Sequence, residues 1–118
     1  MIIAVDFDGC LCEDRFPDIG EANTEVIDQL KEFQRMGDKL ILWTCRKDER
    51  LADAVAWCAA WGLRFDAVNE NLQYVIEAFG GDCRKIFANE YWDDRAVEVV
   101  AGSGGNYEVR NADNNSEG

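Results

Sequence analysis

A chain of 118 residues holds one domain around one core and is too short for two. Its 24 acidic residues against 12 basic ones leave a net charge of −12, which excludes nucleic-acid backbone binding as a default, because such binders carry a basic footprint. The same field repels a phosphate-bearing substrate unless a divalent cation and a few local cations reverse its sign at one place.

The chain opens on Met1-Ile2-Ile3-Ala4-Val5, apolar and without alternation, and is cut off by Asp6-Phe7-Asp8-Gly9. A short aliphatic run of this kind reads as a strand buried on both faces of a parallel sheet. Ligands in such sheets bind outside the carboxyl ends of the strands, where Asp6 and Asp8 fall. Gly9 lets the backbone turn sharply and approach a ligand. The plainer alternative is a strand stopped by a polar turn. Residues 12–20 mix charges with the single proline and read as a loop at the mouth of this end, too short for a cap domain. Asn23 or Thr24 is placed to cap a helix whose apolar stripe is Val26, Ile27, Leu30 and Phe33, with Gly37 as its stop.

A second buried strand, 39–43, ends at Thr44-Cys45-Arg46. The Thr44 hydroxyl is predicted to face the same crevice, and Arg46 reads either as a substrate contact or as a solvated cation. Asp48 starts a second helix with Leu51, Ala52, Val55, Ala59, Trp57 and Trp61 as its apolar side and Gly62 as its end. A third strand over 65–68 leads into Asn69-Glu70-Asn71, which suit either substrate contacts or turn and capping roles. A third helix, about 72–79, closes at Gly80-Gly81. Then Arg84-Lys85-Ile86-Phe87-Ala88 begins a fourth strand that ends in Asp93-Asp94. Beyond Ala101 the composition turns to Gly, Ser and Asn. The spacing predicts a domain over 1–101 and a tail over 102–118, with a flexible link at 102–105, an edge strand at 107–109 and a disordered end.

Strand and helix alternation implies an α/β fold with a parallel sheet, whose right-handed crossovers gather the strand ends on one rim. Five cysteines, an odd number at scattered spacing, and no histidine give no zinc pattern and read as free thiols. The apolar N-terminus has no basic flank and no run reaches membrane-spanning length, so the expectation is a cytoplasmic protein with no membrane partner.

Asp6-Phe7-Asp8-Gly9-Cys10 resembles the first motif of the haloacid dehalogenase-like (HAD) superfamily, usually written DxDGT, with Cys10 where threonine is common. Thr44 at the end of a hydrophobic strand resembles the second motif. Lys85 ahead of the fourth strand and Asp93-Asp94 after it resemble the third and fourth motifs of small capless HAD phosphatases, with 93 − 85 = 8 positions between them. Asn89 stands where relatives often carry aspartate. The resemblance covers nearly everything but the tail. It implies a HAD-like Rossmannoid three-layer sandwich around a central parallel sheet, with no large cap domain.

It further implies a Mg²⁺-dependent phosphohydrolase acting on a phosphate monoester through an aspartyl-phosphate intermediate. Asp6 would be the nucleophile and Asp8 the general acid/base. Thr44 and Lys85 would hold the phosphoryl oxygens, with Gly9 and Arg46 as further substrate contacts. Asp6 and Asp93 would ligate the metal through side chains, Asp8 through its carbonyl, and Asp94 directly or through water. The second aspartate favours phosphoryl transfer over dehalogenation, whose leaving halide needs no proton. The substrate expected is a small-molecule phosphate ester or a phosphorylated macromolecule, and an open site suits either a large or exposed phosphoester or a homo-oligomer in which another subunit supplies the cap. The alternative is a non-catalytic or receiver-like phosphate-binding regulatory domain.

Overall fold

The computed structural model of the chain describes residues 1–101 and 107–110. In chain order the elements are β1 (Ile2–Val5), β2 (Cys12–Arg15), β3 (Asp18–Ala22), α1 (Thr24–Arg35), β4 (Lys39–Leu42), α2 (Asp48–Ala60), β5 (Ala67–Val68), α3 (Gln73–Phe79), β6 (Glu90–Trp92), β7 (Glu98–Ala101) and β8 (Tyr107–Arg110). Four strands form one parallel sheet in the order β5-β4-β1-β6. The register sets Val5 beside Leu42 on one side and beside Trp92 on the other, and Leu42 beside Val68. All four carboxyl ends therefore finish on one rim.

The lack of alternation in β1 has a direct cause, because both of its faces are covered. Ile3, Val5, Leu40 and Leu42 pack with Ile27 and Leu30 of α1 and with Ala54 and Cys58 of α2. Ile2, Ala4 and Ile41, which point the other way at the two-residue period of a strand, pack with Ala67, Leu72, Val75 of α3 and Ile86. The result is a three-layer α/β arrangement, with α1 and α2 on one face and α3 on the other.

Several expectations are corrected. Residues 12–20 are not a loop: β2 and β3 form an antiparallel ribbon turning at Phe16-Pro17, with Asp14 opposite Ile19 and Arg15 opposite Asp18. Of the ribbon, Cys12 lies in the core and Ile19 and Ala22 pack against it, a spacing without the apolar alternation that announces a strand. Gly20 lies so close to the Glu13 carbonyl that no Cβ fits there. The buried face of α2 is also rotated from the predicted one. Ala54 and Cys58 are buried, Leu51, Trp57 and Ala59 partly so, while Ala52 and Val55 are exposed and Trp61 is 41% exposed. The small residues Ala54 and Cys58 let the helix sit close to the sheet, and the bulkier Trp57 packs at the margin against Phe7.

The third strand is two residues long and the fourth three, shorter than the sequence suggested. Residues 107–110 do form a strand, but it pairs with β7 in a separate antiparallel ribbon instead of edging the central sheet. The predicted link at 102–105 and the end of the tail lie outside the described residues. Among the described residues no helix is long and apolar enough to cross a membrane.

The two faces of α2 and the sheet make a direct test. Leu40→Ala, at a position with no exposure, is expected to cost about 3 kcal/mol in urea unfolding, whereas Val55→Ala costs less than about 0.5 kcal/mol.

Candidate active site

The rim is built by extending the ladders one residue past the strands. Asp6 N donates to Trp92 O at 3.0 Å and Trp43 N donates to Val5 O at 2.8 Å. Asp6, Thr44 and Asp93 thereby follow three neighbouring strand ends. Asp6 is half-buried, and its Oδ1 accepts from the Phe7 N–H at 2.8 Å. Carboxylate oxygens of Asp6, Asp93 and Asp94 all lie within 4.8 Å of one another. They line a cleft of about 410 Å³ together with Asp8, Thr44 and Arg46. A smaller cleft of about 260 Å³ opens beside it between Asp6, Trp43, Thr44, Cys45 and Asp93.

Burial, followed by the charges of Asp93, Asp94 and Asp8, pushes the Asp6 carboxyl up to about 6, against an opposing hydrogen bond from Phe7. The donor set is all oxygen and short of counter-charge, which suits a hard divalent cation. Cys10, the nearby thiol, is pushed up to about 12 by burial and then by Asp6, so it stays protonated and offers no thiolate. Gly9 belongs to the same cradle. It takes a φ of +87°, and a Cβ there would overlap the Asp94 carboxylate. The absent side chain makes the room that lets Asp94 approach Asp6. The residues present therefore fit a bound cation.

Asp8 stands apart from that triad. Its two oxygens accept from Arg46 Nε and Nη2, each at 2.8 Å. Arg46 is 3% exposed, and its remaining contacts are also internal: Nη2 donates to Asp18 O at 2.8 Å and Nη1 to Pro17 O at 3.3 Å. The guanidinium carbon lies 5.0 Å from the centre of the Phe7 ring and 5.1 Å from that of Phe16. Its hydrogen bond to Asp8 leads the causes that hold Arg46 more firmly protonated than usual. Arg46 is thus not a solvated cation, although it still lines the cleft. It ties the first-motif loop to the β2–β3 ribbon.

Thr44 is half-buried on the cleft; its N–H donates to Asn69 Oδ1 at 2.8 Å and its Oγ1 accepts from Arg46 N at 3.2 Å. Asn69 takes a φ of +54°, which aims its amide back at Thr44. Asn71 is buried and serves the fold: it donates to Asp82, Cys83 and Lys85 and accepts from Phe87 N at 2.7 Å. Lys85 is exposed, precedes β6, and lines neither cleft that holds Asp6. Asn89 sits at the other end of the sheet, where its Oδ1 accepts from Ile2 N at 2.7 Å. Sequence reasoning missed two cleft residues, Phe16, which arrives from a segment with no motif to flag it, and Arg95, which directly follows the Asp93-Asp94 pair.

A solved structure described as that of a conserved protein from Bacteroides thetaiotaomicron is similar to this chain, with 40% sequence identity and a TM-score of 0.72. The likeness covers 90% of this chain and 80% of the other. The two proteins belong to one family. No protein-family model matches the chain, and no curated protein matches it.

Asp6 keeps its proton to higher pH in the folded chain, about 6 against an ordinary 3.8, so between those values the folded state binds more protons than the unfolded one. The stability it contributes is full below that window and is lost as pH rises through 6. In metal-free buffer at pH 8, Asp6→Asn is expected to raise unfolding stability by about 1–2 kcal/mol, a figure discounted for water in the open cleft, with no gain at pH 3.5. Arg46→Ala, which strands Asp8 and frees the ribbon, is expected to cost about 3 kcal/mol in the same assay.

Proposed function

We propose that this protein is a HAD-like phosphohydrolase that cleaves a phosphate monoester with Mg²⁺ as cofactor. The observation that supports this best is the meeting of Asp6, Asp93 and Asp94 within 4.8 Å beside Thr44, on the carboxyl rim of a parallel sheet. The order Asp-x-Asp after β1, threonine after β4 and Asp-Asp after β6 adds to it.

In this reading Asp6, Asp93 and Asp94 hold the cation, with the Asp8 carbonyl available on the same loop. Bound there, Mg²⁺ offsets the repulsion between the carboxylates and the incoming phosphate. The Asp6 carboxylate attacks phosphorus and the ester P–O bond breaks, giving an aspartyl-phosphate and an alcohol. Thr44 Oγ1 donates to a phosphoryl oxygen as the charge builds. Asp8 supplies the proton to the leaving oxygen, then takes one from the water that attacks the aspartyl-phosphate, which restores Asp6 and releases inorganic phosphate. To reach the leaving oxygen, Asp8 must give up one of its two hydrogen bonds to Arg46. Arg46 then acts as a positioning residue and not as a phosphate ligand.

The Arg46 hold on Asp8 also favours a second reading, a receiver-like domain that keeps the phosphoryl group on Asp6. In that reading the hold of Arg46 keeps Asp8 from serving as base to the hydrolytic water.

With 4-nitrophenyl phosphate and Mg²⁺ the parent protein is expected to turn over, and Asp6→Asn to lose at least ~10³-fold in kcat, as befits loss of a nucleophile. Asp8→Asn is expected to lose about 10²-fold while keeping its metal affinity. Stoichiometric phosphorylation of Asp6 by acetyl phosphate without release of phosphate would move the assignment to the receiver-like reading.

A further inference from the structure

The smaller cleft beside Asp6 carries a feature that phosphate chemistry does not use. Trp43 follows β4 and lies on its α3 side, two residues beyond Ile41. Because α3 is seven residues long, it covers Ile41 and leaves Trp43 42% exposed. The indole packs on Tyr91 alone among the aromatic side chains described, with centroids 5.7 Å apart and planes at 52°. Tyr91 is itself 38% exposed, and its hydroxyl donates to the Ile86 carbonyl, which fixes the ring that backs Trp43. Trp43 N is anchored to Val5 O at 2.8 Å, so the indole rides on the strand end next to Asp6.

From this placement we infer that Trp43, backed by Tyr91, is the stacking platform for the organic half of the substrate, and that this half is an uncharged planar ring. The inference rests on the phosphohydrolase reading of the same site. Three observations carry it. The cleft that Trp43 lines, about 260 Å³, also contains Asp6, Thr44 and Asp93, so a group attached to a phosphate at Asp6 extends along the indole. Among the described residues no basic side chain lines that cleft, so a second phosphate or a carboxylate lying along the indole would find no cationic side chain to pair with. A ring face offered to solvent and held by a hydrogen-bonded neighbour is preorganised for offset stacking.

The test reads binding as well as turnover. Phenylphosphonate and methylphosphonate, which carry the same anion and cannot be hydrolysed, are titrated by calorimetry into the Mg²⁺-loaded protein. The phenyl compound is expected to bind about tenfold more tightly, as one aromatic stack supplies. Trp43→Ala should bring that ratio toward one, Trp43→Phe should keep most of it, and Trp61→Ala, on the far helix, should leave it unchanged. A parent ratio near one, a ratio unaffected by Trp43→Ala, or a greater gain from a trimethylammonioethyl phosphonate than from the phenyl compound would overturn the inference. A Trp43-dependent phenyl preference without turnover of any ester would support the platform while removing the hydrolase reading.

Discussion

The site depends first on strand register. β1 lies between β4 and β6, and the pairing of Val5 with both Leu42 and Trp92 makes the next residues of three strands finish level. Two further main-chain hydrogen bonds, from Asp6 to Trp92 and from Trp43 to Val5, carry the ladder to the rim. A slip of one residue would turn Ile3 and Val5 away from α1 and α2, and would move Asp6 out of line with Asp93. Core packing and site geometry are therefore the same constraint. The apolar faces select the register, and the register delivers the carboxylates.

The Arg46–Asp8 pair is the second organising contact. A buried guanidinium is tolerable only when its donors are satisfied, and here two bonds to Asp8 and two to the Pro17 and Asp18 carbonyls do so, with aromatic rings on both sides. A ribbon with little apolar surface of its own is thereby held against the loop that carries Asp6 and Asp8. The pair makes the mouth of the site part of the core.

Charge explains the rest of the site's character. Three of the carboxylates behind the net charge of −12 meet at one rim, and burial first, then its acidic neighbours, make the half-buried Asp6 hold its proton up to about pH 6. The cluster is short of counter-charge from the chain itself. Arg46 relieves Asp8 only, and Arg95 meets the group chiefly through its main-chain N–H on Asp93. Next to this charged centre the Trp43–Tyr91 pair offers an apolar surface of opposite character.

Much of this was legible in the amino-acid order. An unalternating aliphatic run followed by Asp6, Asp8 and Gly9 told of a strand buried on two faces and ending in carboxylates. Thr44 and Asp93-Asp94 could be placed at strand ends by the same reasoning, because hydrophobic runs and their polar stops are local properties. The ribbon of β2 and β3, the turned face of α2 and the fate of Arg46 were not legible. Each is decided by what another part of the chain brings to it: Arg46 is buried because Asp8, Pro17, Asp18 and Phe16 converge on it from elsewhere. Local order sets which residues end up at a strand's tip; only long-range packing sets which of those charges are neutralised inside the chain and which remain open to a ligand.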